Sequence, residues 1–178
     1  MNEGLVASAM LSYSILPIPR ALRFGGVARR ALPVAVVMLF AAGRAAVAQV
    51  GVRGDRDLAF GSVTRGIPAA VPPSDPVKSG QWTITAPPRS RVQIRMTLPV
   101  NLNGPSGATM PIVFGKNDAY AQESGGSPQY FNPNGFQVYA FGNTGTAIVR
   151  LGGQVTPNAG QAAGTYVNTV LLTMTILN

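Results

Sequence analysis

Apolar and polar residues alternate with a period of two in several short stretches of this chain. The clearest stretch is 165–177, TYVNTVLLTMTIL, in which apolar side chains occupy most alternate positions. Residues 90–100, SRVQIRMTLPV, follow the same pattern, with Arg91 and Arg95 on the polar side. A period of two is typical of a strand that buries one face and exposes the other. We therefore predict a half-buried β-strand in each stretch.

Residues that favour turns separate further strand candidates. Residues 136–141 and 146–151 flank the sequence GNTG, and this arrangement predicts a β-hairpin. Shorter strands are predicted at 57–66, 81–86 and 111–115, between segments rich in Gly, Pro, Asn and Ser. About seven to nine short strands with turns between them predict an all-β fold, an antiparallel β-sandwich.

The beginning of the chain has the pattern of a secretory signal peptide. The arginine pair at 29–30 precedes a short apolar region at 31–43, and Ala-Val-Ala at 46–48 fits the rule for a cleavage site. The apolar region is shorter than the roughly 20 residues that span a bilayer. We therefore expect cleavage after residue 48 and no membrane span in the mature chain. Translation from Met10, and export by the secretory or the twin-arginine route, stay open.

These patterns predict three segments, namely a signal peptide with an extended n-region (1–48), a short N-terminal extension (49–57) and a β-sandwich domain (58–178). The net charge of the chain is +8, and half of it lies in residues 1–48. The remaining positive balance is mild, and it concerns solubility and weak attraction to anions rather than fold. We expect no nucleic-acid partner.

The composition also limits the chemistry. The chain has no Cys and no His, which excludes disulfides, the commonest zinc ligands and the usual general base. The few carboxylates after residue 48 form no pair at the ends of neighbouring predicted strands. We therefore expect a non-catalytic protein that holds no cofactor and no metal.

Two parts of the sequence resemble a known group of proteins. LAFGSVTRG at 58–66 and VRLGGQVTPNAGQAAGTYVNTVLLTMTIL at 149–177 resemble an exported bacterial family of unknown function. That family is similar to the spore coat protein U domain and, more distantly, to chaperone–usher pilus subunits. The residues that carry the resemblance are Phe60, Gly61, Gly152, Gly153, Gly164 and Tyr166.

The resemblance implies an immunoglobulin-like sandwich that is exported to the periplasm, the cell surface or the medium. Pilin-like members assemble when one chain donates a strand to an open sheet edge of another, which is a form of β-augmentation. The candidate donor here is the 49–57 extension, in which Val50 and Val52 alternate with polar or small residues. The implied partners are further copies or related subunits, and an export chaperone.

Two hypotheses for function follow. The first is an exported structural or surface protein that assembles through β-strand pairing. The second is a monomeric periplasmic or surface module that binds a glycan or a protein. Arginine can hold anionic groups, and aromatic rings in Gly-rich loops can stack on sugars, although such residues also occur as solvated strand faces and core caps. The candidate partner-binding residues are Arg91, Arg95, Tyr120, Tyr130 and Phe131.

Overall fold

The structure, a computed structural model, describes residues 5–12 and 50–177, and in these residues the protein is all-β. One 3₁₀ turn, Pro105–Gly107, is the only helical element there. The predicted apolar region and cleavage site of the signal peptide lie outside the described residues. The strands are β1 (Leu5–Ser12), β2 (Gly51–Arg56), β3 (Leu58–Val63), β4 (Ala69–Val71), β5 (Gly80–Thr85), β6 (Arg91–Thr97), β7 (Asn101–Asn103), β8 (Thr109–Val113), β9 (Ala119–Glu123), β10 (Gln129–Phe131), β11 (Phe136–Ala140), β12 (Thr146–Leu151), β13 (Gly153–Val155) and β14 (Thr165–Leu177).

The described strands form two sheets. The first contains nine strands in the order β11-β6-β14-β7-β8-β13-β4, with β1 attached to β14 and β3 attached to β1. The second contains five strands in the order β10-β9-β12-β5-β2. Except for β1 and β14, all paired strands among these residues are antiparallel. The predicted all-β class is confirmed, and the two sheets are consistent with a β-sandwich.

The inward side chains of both sheets belong to one apolar core. In the second sheet, Trp82 and Ile84 of β5 are buried, while the residues between and after them are only partly buried. In the first sheet, Val92 and Ile94 of β6 are buried in the same alternating way. All four belong to one hydrophobic cluster. The period of two in the sequence therefore corresponds to burial, as expected for strands with one solvated face.

The final strand confirms the predicted alternation. Tyr166, Val170 and Leu172 are buried, and Met174 and Ile176 pack against the core. Strand β14 is 13 residues long, and its C-terminal half pairs with β6. Its N-terminal half pairs with β1 and, at Val167, with β7.

The predicted hairpin across 136–151 is wrong. Strand β11 pairs with β6 in the first sheet, whereas β12 pairs with β5 and β9 in the second. The segment that connects β11 to β12 is bonded to other parts of the chain. The Gly142 amide donates to the Glu123 carboxylate at 2.7 Å, and the Arg89 amide donates to the Gly142 carbonyl at 2.8 Å. The segment between these strands therefore carries the chain from one sheet to the other.

Candidate functional site

Strand β1 fills a gap between β3 and β14 in the first sheet. It runs parallel to residues 165–171 of β14 and antiparallel to β3, with seven and five paired residues respectively. Within residues 5–12 and 50–177, β3 has no other strand partner in this sheet. Since neighbouring strands lie about 4.8 Å apart, β3 and β14 are separated by roughly 10 Å, too far to bond to each other directly. We call this position the strand gap.

Phe60 and Gly61 shape the β3 side of the strand gap. The ladder between β1 and β3 shifts register here, since Ala7 pairs with Gly61 and Ser8 pairs with Ala59. Phe60 is left out of the pairing, and its side chain is buried. Gly61 has a φ of 71°, a left-handed backbone conformation that residues with a side chain rarely adopt. The Phe-Gly pair is therefore a β-bulge that keeps an aromatic ring in the core beside the gap.

Tyr166 anchors the other side of the strand gap at the start of β14. Its ring is fully buried, its hydroxyl accepts a hydrogen bond from Gln161 Nε2 at 2.7 Å and it donates to the Ala162 carbonyl at 2.9 Å. Gly104 leaves room for the ring, because a Cβ there would lie 2.6 Å from the ring Cζ atom. Gly164, just before the strand, lies against Pro105. These contacts fix the place where β14 begins.

Gly152 and Gly153 lie where the chain passes from β12 in the second sheet to β13 in the first. The backbones approach very closely at this crossing. A Cβ on Gly152 would overlap the Val71 carbonyl oxygen and would lie 2.6 Å from the Pro73 nitrogen. The Gly152 amide also donates to the Asp118 carbonyl at 2.7 Å. This pair therefore has a structural role, away from any exposed surface.

The candidate donor residues lie in the protein's own second sheet. Val52 pairs with Ile84 of β5 and packs against the core, whereas Val50 precedes β2 and is 42% exposed. Residues 51–56, within the segment predicted as the N-terminal extension (49–57), thus pair with β5 of the second sheet. Donation by this segment would require β2 to separate from β5.

A row of polar and aromatic side chains crosses the outer face of the second sheet. Successive strands place the members of the row opposite one another, and opposite residues share a face. Their neighbours along the strands, such as Ala121 and Val149, point into the core. From β10 to β2 the row consists of Tyr130, Tyr120, Arg150, Gln81 and Arg56, and we call it the basic–aromatic row.

The two tyrosines of the row contact each other. The ring centroids of Tyr120 and Tyr130 are 5.4 Å apart, and the ring planes are inclined by 56°. Tyr120 is 6% exposed, whereas Tyr130 is 50% exposed, so the buried Tyr120 ring packs against the more exposed Tyr130 ring. Phe131, the third aromatic candidate, is buried in the core. The structure therefore brings Tyr120 and Tyr130 together and separates Phe131 from them.

Arg150 is a member of this row that the sequence interpretation did not single out. Its Nε atom is buried and has no hydrogen-bond partner in the described part of the protein. By contrast, the Arg56 guanidinium donates to the carbonyls of Ser79, at 2.8 Å, and Pro76. The alternation in TAIVRL places Arg150 on the other face of the strand from the buried Val149. This pattern was the signal that could have identified Arg150.

Arg91 and Arg95 share the exposed face of β6 in the first sheet, as predicted. Arg95 lies opposite Phe136 of the edge strand β11, and the Phe136 side chain is 66% exposed. On the other side, Arg95 lies opposite Thr173 of β14. The predicted arginines and tyrosines are therefore on different sheets and do not form one site.

The remaining titratable groups among residues 5–12 and 50–177 form no metal-binding cluster. No three acidic, His or Cys residues there lie close enough to hold a metal ion. Hydrogen bonds from the Lys78 and Val77 amides hold the pKa of Asp75 below its usual value. Burial raises the pKa of Tyr139, and the nearby Glu123 carboxylate adds to this effect. None of the helical structure described there is long and apolar enough for a membrane span.

No protein-family model matches this chain, and no curated protein matches it.

Proposed function

We propose that the protein is an exported, non-catalytic structural or surface protein that assembles through β-strand pairing. In this proposal the domain is an immunoglobulin-like sandwich of the pilin-like or coat-protein-U-like kind. The observation that carries the proposal is the strand gap between β3 and β14, which is filled by a segment distant in sequence from both strands.

The origin of the filling strand supports a role in assembly. Residues 5–12 lie within the 1–48 segment that the sequence predicts to be removed on export. After removal, β3 and the first half of β14 would each present unpaired amides and carbonyls along the gap. An unpaired strand edge is a template for another chain. The mature protein would therefore need a strand from a partner.

The lining of the strand gap supports the same conclusion. Leu58 and Phe60 on one side, and Tyr166 and Val170 on the other, are buried residues of the core. An empty gap between these strands would expose part of this core to water, at about 25 cal/mol for each Å² of apolar surface. A partner strand would cover it again, whether it came from a second copy, a related subunit or an export chaperone.

Light scattering coupled to size-exclusion chromatography tests this proposal on a chain that begins at Gln49. A synthetic peptide with the sequence of residues 4–13, GLVASAMLSY, serves as a strand to fill the gap, and a scrambled peptide serves as the control. We expect the shortened chain to form oligomers, or to refold and gain thermal stability only when the native peptide is present. A monomer that is as stable as the full chain, and indifferent to the peptide, would refute the proposal.

A further inference from the structure

We propose that the outer face of the second sheet binds an acidic oligosaccharide, with Arg150 holding a sugar carboxylate and Tyr130 stacking on a neighbouring ring. This proposal concerns the basic–aromatic row and is independent of the strand gap, which lies in the other sheet.

The row runs without interruption across a hydrogen-bonded sheet. Each of its five members belongs to a different strand, and a backbone ladder joins each strand to the next. The surface runs from the edge strand β10 to the edge strand β2, across all five strands of the sheet. Binding to such a surface requires little ordering of the protein, which lowers the entropic cost of association.

The row contains two arginines and no acidic residue, so an anionic ligand would complement its charge. The residues opposite Arg150 on its two neighbouring strands, Tyr120 and Gln81, are uncharged. Its buried Nε atom has no partner in the described residues, and an unsatisfied buried donor in a native structure points to a missing acceptor. A ligand carboxylate that reaches the guanidinium group would supply the missing counter-charge, in the geometry that arginine favours.

The carboxylates near this face are already engaged elsewhere. Asp55 accepts hydrogen bonds from Arg53 Nε at 2.8 Å and from the Thr83 hydroxyl. Asp118 accepts from the Gly115 amide at 2.6 Å. Among the described residues, neither of these carboxylates forms a hydrogen bond or an ion pair with Arg150, which leaves its guanidinium group to an external anion.

The two tyrosines supply the second element of sugar recognition. The Tyr130 ring is half-exposed and is braced by the buried Tyr120 ring at 5.4 Å. An exposed aromatic face of fixed orientation packs well against the C–H groups of a sugar ring. Tyr130 lies two strands from Arg150, a separation of roughly 10 Å, so the two residues would contact successive units of one saccharide chain.

Other classes of ligand fit this face less well. A peptide strand would pair with a sheet edge, where backbone groups are free, rather than lie across the ladders. A nucleic acid would need a larger basic patch than the one formed by Arg150 and its neighbours. A neutral saccharide would leave Arg150 without a counter-charge.

Isothermal titration calorimetry of the full chain with trigalacturonate, at about 0.15 M salt to screen weak surface attraction, tests the proposal. The variants are Arg150→Gln and Tyr130→Ala, and the matched control is Arg95→Gln, which removes an exposed arginine from the other sheet. Maltotriose is the neutral ligand for comparison. We expect the Kd for trigalacturonate to rise at least tenfold in the first two variants, to stay within twofold in the control, and no binding of maltotriose.

Several results would overturn the proposal. These are an absence of trigalacturonate binding, equal weakening by Arg150→Gln and Arg95→Gln, or equal affinity for maltotriose. If Arg150→Gln does not fold, Tyr130→Ala still decides the matter, because the Tyr130 side chain is half-exposed on an edge strand. Undiminished binding by a folded Tyr130→Ala variant would then reject the site.

Discussion

Replacing Tyr166 by Phe should destabilise the fold through the loss of one hydroxyl group. The hydroxyl accepts a hydrogen bond from Gln161 Nε2 at 2.7 Å and donates to the Ala162 carbonyl at 2.9 Å. Phe keeps the ring, and the ring is fully buried beside Gly104. The substitution therefore leaves apolar packing unchanged and removes only the two bonds that tie the preceding loop to β14.

The expected magnitude follows from those two bonds. Each hydrogen bond contributes about 1 kcal/mol net, and a buried group that loses its partner costs more. Gln161 retains a second bond from its Nε2 to the Thr109 carbonyl at 3.0 Å, which limits the loss on that side. We therefore expect a loss of about 2 kcal/mol in the free energy of unfolding. For a domain of this size, that corresponds to a fall of about 8 °C in Tm.

Urea unfolding followed by tryptophan fluorescence measures this change. The chain contains one tryptophan, Trp82, and it is 1% exposed in the core, so its emission reports exposure of the core on unfolding. The midpoint should fall while the dependence of stability on urea concentration stays constant, because the surface exposed on unfolding is nearly the same.

Tyr130→Phe is the matched control for Tyr166→Phe. It makes the same chemical change at a ring that is 50% exposed, where a substitution normally alters stability by less than about 0.5 kcal/mol. If Tyr166→Phe were as mild as this control, the hydroxyl bonds would not anchor β14, and the structural role given to Tyr166 would be refuted.

Two further perturbations have definite expected outcomes. Gly152→Ala should lower the free energy of unfolding, measured in urea, by about 3 kcal/mol, because its Cβ would lie 2.6 Å from the Pro73 nitrogen. Gly160→Ala is the control and should change little, because the space around its new methyl group is open. Equal effects of the two substitutions would contradict the close approach at Gly152. Asp75→Ala should be less stable than the native chain at neutral pH, because the Asp75 carboxylate is held ionised by hydrogen bonds from the Lys78 and Val77 amides, which lower its pKa from 3.8. This contribution to stability is complete above pH 3.8 and is lost as the pH falls through the lowered folded-state pKa. The difference in Tm between Asp75→Ala and the native chain should therefore shrink in acid. A difference in Tm that does not depend on pH would contradict the assignment.

Local patterns in the sequence were sufficient for the fold class and for the burial of most strands. Alternation placed Val170 and Leu172 in the core and Arg91 and Arg95 on the exposed face, and the structure confirms both. Side chains of a strand point alternately to opposite faces, so burial in a half-buried strand can be derived from a few neighbouring residues. The absence of Cys and His likewise limits the chemistry from the sequence alone.

Strand pairing could not be derived in this way, because it depends on residues far apart in the chain. The segments 136–141 and 146–151 have the pattern of a hairpin, yet β11 and β12 belong to different sheets. Pairing depends on which long-range contacts close the core, and a period of two is equally compatible with either arrangement.

Only the tertiary structure revealed the strand gap and the basic–aromatic row. Leu5–Ser12 lies between β3 and β14, although 45 residues separate Ser12 from Leu58. Arg150 meets Tyr120 because β12 and β9 pair in one particular register. The sequence by itself determined which face of each strand is apolar, since that is a local property of the backbone. The tertiary structure decided which faces and edges meet, since strand order and register follow from packing of the whole chain.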